Sequence, residues 1–387
     1  MTVYLDHAAT SPLRPEVLAA YTAALGVVGN PSSIHGAGQA ARAMLEDGRE
    51  AVAASIGADP VEVVLTGGGT ESVNLAVKGL FWARAAAGSG RRRILVPMAE
   101  HHATLDSVEW LAAHEGAVVD FIEVDATGRI RLDALEAALA TGGDEVALVT
   151  ALWANNEVGT LQPVAEIVSL AARFGVPVHL DAIAAYGSVP IDVHEVGAAA
   201  VSLSAHKIGG PVGVGALYLA RSATVEPLLH GGAQQRARSG TQDAAGAAAF
   251  GVAASLLAPP SAELRDRLIR GVETIEGAVL RGEPVDRLPG NAHFTFAGCE
   301  GDSLLYLLDV AGFAVSTGSA CQAGVPEPSH VLLAMGVPED EARGALRFTL
   351  GPETTAAEID ALLDVLPGVV AQARAAGLAA REPRLGR

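Results

Sequence analysis

Three short stretches of this 387-residue chain combine residue types that could carry out chemistry on a bound small molecule. The first runs from Val64 to Ser72, where three consecutive glycines, Gly67–Gly69, precede hydroxyl and carboxyl side chains and then a helix-like pattern. Backbone N–H groups at a helix N-terminus bind anions when the loop before them carries no side chains. A plain tight turn is the alternative, and no Gly-Lys-Ser/Thr follows, so a nucleoside triphosphate site is not indicated.

The other two stretches each place a charged residue at the end of a predicted strand. Asp181 closes the apolar run 177–181, and Lys207 follows the run 199–204, 26 residues further on. Taken singly, such residues usually form an ordinary ion pair or lie at the surface. Together with the glycine loop they form a constellation at one edge of an α/β sheet, where ligands collect.

One cofactor, pyridoxal 5′-phosphate, requires all three features together: an anion site for its phosphate, an amine for its aldehyde and an acid for its pyridine nitrogen. We therefore expect Lys207 to bind the aldehyde and Asp181 to keep the ring nitrogen protonated. His101 follows a predicted strand and could lie against the ring and move protons, because an imidazole titrates in the useful range. No metal site is predicted, since His101 and His102 are adjacent in the chain and no acidic cluster joins them.

Motifs distributed over nearly the whole chain resemble those of cysteine desulfurases of the NifS/IscS type, which are class-V aminotransferase-like enzymes of fold type I. The motifs that carry this resemblance are Tyr4-Leu5-Asp6-His7-Ala8-Ala9-Thr10, Asn30-Pro31-Ser32-Ser33, Gly68-Gly69-Thr70-Glu71-Ser72, Glu100-His101, Asn155-Asn156-Glu157-Val158-Gly159, Ser204-Ala205-His206-Lys207, Arg238-Ser239-Gly240-Thr241, Ser316-Thr317-Gly318-Ser319-Ala320-Cys321 and Leu346-Arg347-Phe348.

This resemblance implies a set of binding residues. Those that would bind pyridoxal phosphate are Gly69, Thr70, His101, Asn156, Asp181, Ser204, His206, Lys207 and Thr241. Thr241 would reach the phosphate of the neighbouring subunit, which implies a homodimer. Asn156 and Arg347 would hold the substrate carboxylate, to which the planar fork of an arginine is suited.

Cys321 distinguishes a desulfurase from a plain aminotransferase. It lies in a loop rich in small residues, 316–329, with no apolar periodicity, whereas Cys299 is expected to be a small core residue. The resemblance implies that Cys321 takes sulfur from L-cysteine as a persulfide, releases L-alanine and passes the sulfur to a protein acceptor of iron–sulfur or tRNA-thiolation chemistry. Two alternatives stay open: another class-V enzyme, such as an aminotransferase or selenocysteine lyase, and a non-catalytic sulfur-assembly adaptor.

Two positions depart from the family pattern. Ala184 stands where the family usually has a glutamine that donates to the phenolic oxygen of the cofactor. Gln235 replaces a glutamate, and the segment before Arg238 is one residue shorter, which we expect to displace Thr241.

The elements that must position these residues follow from the alternation of short β-rich runs with longer helical stretches, which predicts a mostly parallel sheet with flanking helices. The predicted strands of this sheet are 62–66, 94–97, 117–124, 146–152, 177–181, 199–204 and 213–220. A large α/β domain is expected over 12–258. A smaller α+β domain is expected from 1–11 and 259–387, with a helix over 261–281.

Composition restricts the partners and the compartment. The chain carries 26 Lys and Arg against 44 Asp and Glu, a formal net charge of −18, which disfavours nucleic acid and anionic membranes as partners. Two cysteines are too few for a disulfide framework, and no secretory signal is visible before Thr10. A cytoplasmic protein is therefore expected.

Overall fold

The structure is a computed structural model that describes residues 2–86, 90–318 and 327–381. Its strands are β1 (Val3–Tyr4), β2 (Val63–Thr66), β3 (Arg93–Pro97), β4 (Val118–Ile122), β5 (Val146–Leu152), β6 (Val178–Asp181), β7 (Ala200–Ser204), β8 (Gly215–Leu219), β9 (Ala278–Arg281), β10 (Asn291–Phe296), β11 (Phe313–Ala314) and β12 (Ala345–Thr349). Its α-helices are α1 (Pro15–Leu25), α2 (Gly36–Ala54), α3 (Gly69–Ala86), α4 (His102–Glu115), α5 (Leu132–Ala140), α6 (Val164–Ala172), α7 (Val193–Val196), α8 (Ala244–Ser255), α9 (Ala262–Val272), α10 (Gly301–Val310), α11 (His330–Ala334), α12 (Glu339–Ala342) and α13 (Ala356–Arg381).

The largest sheet has seven strands in the order β2-β8-β7-β6-β5-β3-β4. Its strands pair in parallel from β7 to β4, whereas β8 runs antiparallel to both of its neighbours. All seven residues of β5 are buried, as expected for a central strand covered on both faces. The predicted mostly parallel seven-stranded sheet is confirmed, and the predicted strand ends agree with the observed ones within two residues.

Helices cover both faces of this sheet. On β3, Ile94 and Val96 join a buried cluster with Phe81 of α3, whereas Leu95 joins the cluster that contains Phe250 of α8. Successive strand residues point to opposite faces, so this division is the packing signature of a three-layer α/β arrangement.

A second sheet is antiparallel and has the order β12-β10-β9, and β1 pairs in parallel with β11. Phe294, Phe296 and Phe348 form a separate buried cluster with α9, α10 and α13. The predicted helix over 261–281 is wrong beyond Val272, because Gly277, at φ +76°, lies in a turn that leads into β9. The proposed division into 12–258 and the remainder stays a prediction.

None of the helices in the described ranges combines the length and the apolar character that crossing a membrane requires.

Candidate active site

The ends of three strands meet at one edge of the large sheet. β6 ends at Asp181, β7 ends at Ser204 and continues into a short 3-10 turn that contains Lys207, and β2 leads through two residues into α3, which begins at Gly69. β2 and β7 flank the antiparallel β8 and therefore point in the same direction. The structure thus brings the three predicted parts of the site to a common edge.

Lys207 is half-buried, and its amine is held by the N-terminal segment. Nζ donates to the carbonyl of Ala9 at 2.9 Å and to that of Ala8. Burial, reinforced by the charge of Arg347, lowers the pKa of Lys207 to about 8, although Asp181 opposes this shift. The neutral amine that nucleophilic chemistry requires is therefore more abundant at neutral pH than for an ordinary lysine, at roughly one part in ten.

Asp181 is 2% exposed, and its Oδ1 accepts one hydrogen bond, from the N–H of Ile183 at 3.0 Å. Burial raises its pKa to about 6, while that hydrogen bond and the charge of Lys207 act in the opposite direction. A buried carboxyl with so few donors is suited to bind a cationic N–H group of a ligand.

The start of α3 and the end of β7 form the predicted phosphate cradle. Thr70 is exposed at the first turn, and the Oγ of Ser204 is buried with no hydrogen-bond partner among the described residues. A Cβ on Gly69 would lie 2.3 Å from the Cδ1 of Ile183, so a larger residue would require the Ile183 side chain to move. Hydroxyl groups and free N–H groups at a helix N-terminus suit an anion.

Two predicted histidines lie beside the lysine, and both are neutral at neutral pH. Nδ1 of His101 accepts from the N–H of Ala103 at 3.0 Å and caps α4, which leaves the proton on Nε2. Nδ1 of His206 lies 3.1 Å from the hydroxyl of Thr10. Desolvation by the surrounding protein, together with the charge of Lys207, lowers the pKa of each to about 4.

The predicted carboxylate-binding residues are in contact with each other. Arg347 is 4% exposed and donates from Nη1 to the backbone carbonyl of Asn156 at 3.0 Å. Its Nη2 donates to Asp6 at 2.9 Å, and its Nε is buried with no partner among the described residues. The guanidinium therefore retains an unused donor at the site.

Two acids of the site, Asp6 and Glu100, have no role predicted from the sequence. Asp6 pairs with Arg347, and Glu100 is buried beside Asp181, with its Oε1 accepting from the N–H of Leu152 at 2.8 Å and its Oε2 unpartnered in the described part of the chain. Burial, with a contribution from Asp181, holds the pKa of Glu100 well above its usual range. Their places in the Asp6-His7 and Glu100-His101 motifs were the available signal.

A cavity of about 660 Å³ reaches the site and is lined by Lys207, Asn156 and Ala184. Ala184 contributes no hydrogen-bond donor there. The position that departs from the family pattern thus faces open space beside the lysine.

The segment that carries Thr241 is attached to the cradle by other residues. Arg238 donates from Nε to Glu71 of α3 at 2.5 Å, and the side-chain amide of Gln235 binds both the N–H and the carbonyl of Leu65, at 3.0 and 2.7 Å. Thr241 itself is exposed, and its contact with a neighbouring subunit stays a prediction.

Cys321 lies outside the described residues. The preceding segment is described up to Gly318, and Ser316 exchanges two backbone hydrogen bonds with Arg347. The described chain resumes at residue 327, and Cys299, as expected, is buried in the core of the smaller sheet.

Comparison with known proteins agrees with this fold. The sequence profile of the aminotransferase class-V family matches residues 3–362. An IscS-like cysteine desulfurase of Mycobacterium tuberculosis is 52% identical over 97% of this chain and 98% of its own length. A solved NifS-like protein superposes with a TM-score of 0.88 at 32% identity, covering 96% of this chain and all of that one. A solved structure of SspA in complex with cysteine gives a TM-score of 0.81 at 31% identity over 92% of this chain and all of that one.

This chain therefore belongs to the class-V aminotransferase family and, within it, to the cysteine desulfurases.

Proposed function

We propose that this chain uses pyridoxal phosphate, held at Lys207, to release L-alanine from L-cysteine and to retain the sulfur as a persulfide on Cys321. The observation that carries the proposal is the meeting of a lysine of lowered pKa, a buried acid and an arginine at one sheet edge in a chain of this family. The similar SspA structure, which is in complex with cysteine, supports cysteine as the substrate.

The residues present fit pyridoxal phosphate. Asp181 offers a buried carboxylate for a protonated ring nitrogen, and Lys207 offers an amine for the aldehyde. The unpartnered hydroxyl of Ser204 and the side chains of Thr70 and His206 offer donors for the phosphate. When bound, the cofactor supplies an electron-withdrawing ring that stabilises negative charge at the substrate α-carbon.

The residues of this chain would then bind the amino acid and move its protons. Arg347, through its free Nε, and Asn156 bind the carboxylate and fix the orientation of the α-carbon. Lys207 Nζ, which is half neutral near pH 8, removes the α-proton. The Nε2–H of the neutral His101 ring can donate a hydrogen bond near the same place.

Sulfur transfer is balanced without an external oxidant. The Cys321 thiolate attacks the sulfur of the bound amino acid, so a sulfur–sulfur bond forms as the carbon–sulfur bond breaks. The electron pair of the broken bond stays on carbon, which takes up a proton and leaves as alanine. L-cysteine plus a thiol thus gives L-alanine plus a persulfide, which a thiol of an acceptor protein can remove by exchange.

The proposal includes a homodimer in which Thr241 serves the site of the neighbouring subunit. In support, α1 and the residues after it expose several large apolar side chains: Leu18 is 51%, Leu25 63%, Val28 86% and Ile34 92% exposed. Leu18 and Leu25 lie seven residues apart and therefore on one face of α1, which favours an interface on that face. Replacing Leu25 and Ile34 by Glu should shift the mass measured by light scattering from dimer to monomer.

We also propose the cytoplasm as the compartment. A persulfide-forming thiol functions only where disulfides stay reduced, and the chain carries two cysteines in all.

The deciding test is a mass measurement on two matched variants. After incubation with L-cysteine, the wild type and Cys299→Ser should gain one sulfur atom and release alanine. Cys321→Ser should bind cysteine with a spectral change but neither gain sulfur nor support turnover. Turnover by Cys321→Ser would overturn the assignment, and a protein that stays colourless with pyridoxal phosphate would overturn the cofactor.

A further inference from the structure

His293 on β10 is fully buried, yet neither of its ring nitrogens has a hydrogen-bond partner among the described residues. It stands directly opposite Arg347 in the antiparallel pair of β10 and β12. Side chains opposite each other in such a pair lie on the same face of the sheet. His293 therefore lies on the face of the smaller sheet that carries the carboxylate-binding arginine.

The imidazole is neutral. Burial, with the charges of Arg347, Arg287 and Arg281, lowers the pKa of His293 to about 3. A neutral imidazole offers one donor and one acceptor. An interior residue that keeps both capacities unused by the fold differs from an ordinary core histidine.

The ring faces Gly318, the last described residue before Cys321. Gly318 has φ +87°, and a Cβ built there would lie 3.1 Å from His293 Nε2 and 3.4 Å from Glu157 Oε2. The backbone of Gly318 thus rests above a buried imidazole and a buried carboxylate, and no other residue type could adopt this position without strain.

The same carboxylate also holds the other flank of the Cys321 segment. The hydroxyl of Ser329 donates to Glu157 Oε2 at 2.5 Å. The backbone of Glu157 is itself fixed, because its N–H donates to Asn155 Oδ1 at 2.9 Å and its carbonyl accepts from Asn291 Nδ2 at 3.0 Å. Glu157 is therefore a buried residue with a fixed backbone, and its carboxylate binds Ser329.

We propose that His293 and Glu157 are positioning residues for sulfur transfer: together they fix Gly318 and Ser329, the two flanks that bracket Cys321, next to the strand that carries Arg347. This inference rests on the proposed function, because it assigns the pair a role in delivering the Cys321 thiol. Neither residue is assigned contact with the substrate. The pair sets the positions of Gly318 and Ser329, the described residues on either side of Cys321 in the sequence. Misplacement of reacting groups by small distances slows chemistry strongly.

Serine caps provide a matched test. Ser329 and Ser261 both cap a helix by accepting an N–H at 3.2 Å, but only Ser329 also binds Glu157. We expect Ser329→Ala and His293→Leu to slow first-turnover alanine formation about tenfold, with KM for cysteine changed less than about twofold. Ser261→Ala should do neither.

A second readout does not depend on the reaction. Amide hydrogen exchange of the peptides that cover 316–318 and 327–333 should accelerate in Ser329→Ala, His293→Leu and Glu157→Gln, and not in Ser261→Ala. Glu157→Gln keeps the shape of the side chain, so it remains informative if His293→Leu folds poorly. Unchanged exchange in Glu157→Gln and Ser329→Ala would overturn the inference. If only the proposed function is wrong, Cys321→Ser will still turn over L-cysteine, while amide exchange in Ser329→Ala and Glu157→Gln will still be accelerated.

Discussion

Two fully buried histidines, one in each main sheet, have opposite surroundings. His179 of β6 lies between Thr150 and Ser202 of the neighbouring strands, with each ring nitrogen 2.8 Å from a hydroxyl. His293 of β10 has no such partner among the described residues. Burial lowers the pKa of both to about 3, so both are neutral. They differ in whether the fold uses their hydrogen-bonding capacity.

This difference distinguishes buried polar groups whose hydrogen bonds stabilise the sheet from buried polar groups that stay available for a partner outside the sheet. Three other buried atoms likewise have no hydrogen-bond partner among the described residues: the Oγ of Ser204, the Oε2 of Glu100 and the Nε of Arg347. All three lie near the edge where the site forms. An unsatisfied buried polar atom lowers stability, so its retention at a site indicates a ligand or a moving segment as its partner.

The largest expected effect concerns Asp181. Asp181→Asn should lower desulfurase activity at least about 100-fold, because an amide does not keep a ring nitrogen protonated. The same change should stabilise the cofactor-free protein above about pH 6. Because the pKa of Asp181 is higher in the folded protein than in the unfolded chain, ionisation of this carboxyl favours unfolding. The free energy of unfolding of the wild type therefore decreases by about 2 kcal/mol as the pH rises from about 4 to about 6. Denaturant unfolding of the cofactor-free forms measures this, and equal stability at pH 7 would contradict it.

Two leucine substitutions test whether the surroundings of His179 and His293 differ in this way. His179→Leu leaves the hydroxyls of Thr150 and Ser202 buried without their partner, and we expect a loss of about 2–4 kcal/mol. His293→Leu removes two unsatisfied buried atoms, so it should not lower stability and should raise it by up to about 1–3 kcal/mol. Equal losses in urea unfolding would show that the two environments do not differ as described.

Acid stability should depend on both histidines. Each folded pKa lies below that of the unfolded chain, so stability is complete above about pH 6.5 and falls as the pH decreases toward 3. From about pH 7 to about pH 5 each should contribute about 2 kcal/mol of destabilisation. A urea midpoint series across this range should be flatter for either His→Leu variant than for the wild type. A parallel series would mean that the histidine titrates normally.

The smallest effect is expected at Ala237, which has φ +60° and is the one non-glycine residue with positive φ in the described ranges. It lies in the shortened segment before Arg238. Ala237→Gly should stabilise the protein by about 0.5–1 kcal/mol, because the left-handed conformation then carries no Cβ strain. A melting temperature below that of the wild type would show that the side chain makes a compensating contact.

The parts of the fold that could be predicted are those encoded locally. The apolar runs that end at Asp181 and Ser204 define β6 and β7, and chain direction then places both ends on one edge. The helix over 261–281 was predicted too long, because helical propensity does not show where a chain turns back as a strand. The ion pair of Asp6 with Arg347 joins residues 341 positions apart, and the pairing of β10 with β12 that places His293 there depends on tertiary folding. Neither contact has a local pattern.

The short N-terminal segment links the two ends of the active site mechanically. Asp6 is bound to Arg347, and the carbonyls of Ala8 and Ala9 accept hydrogen bonds from the amine of Lys207. The four residues 6–9 therefore connect the arginine to the lysine. An incoming carboxylate that displaced Asp6 from Arg347 would remove one of the two attachments of this four-residue segment. A carboxylate that binds only at the free Nε of Arg347 would leave this segment, and its contacts with the amine of Lys207, as they are.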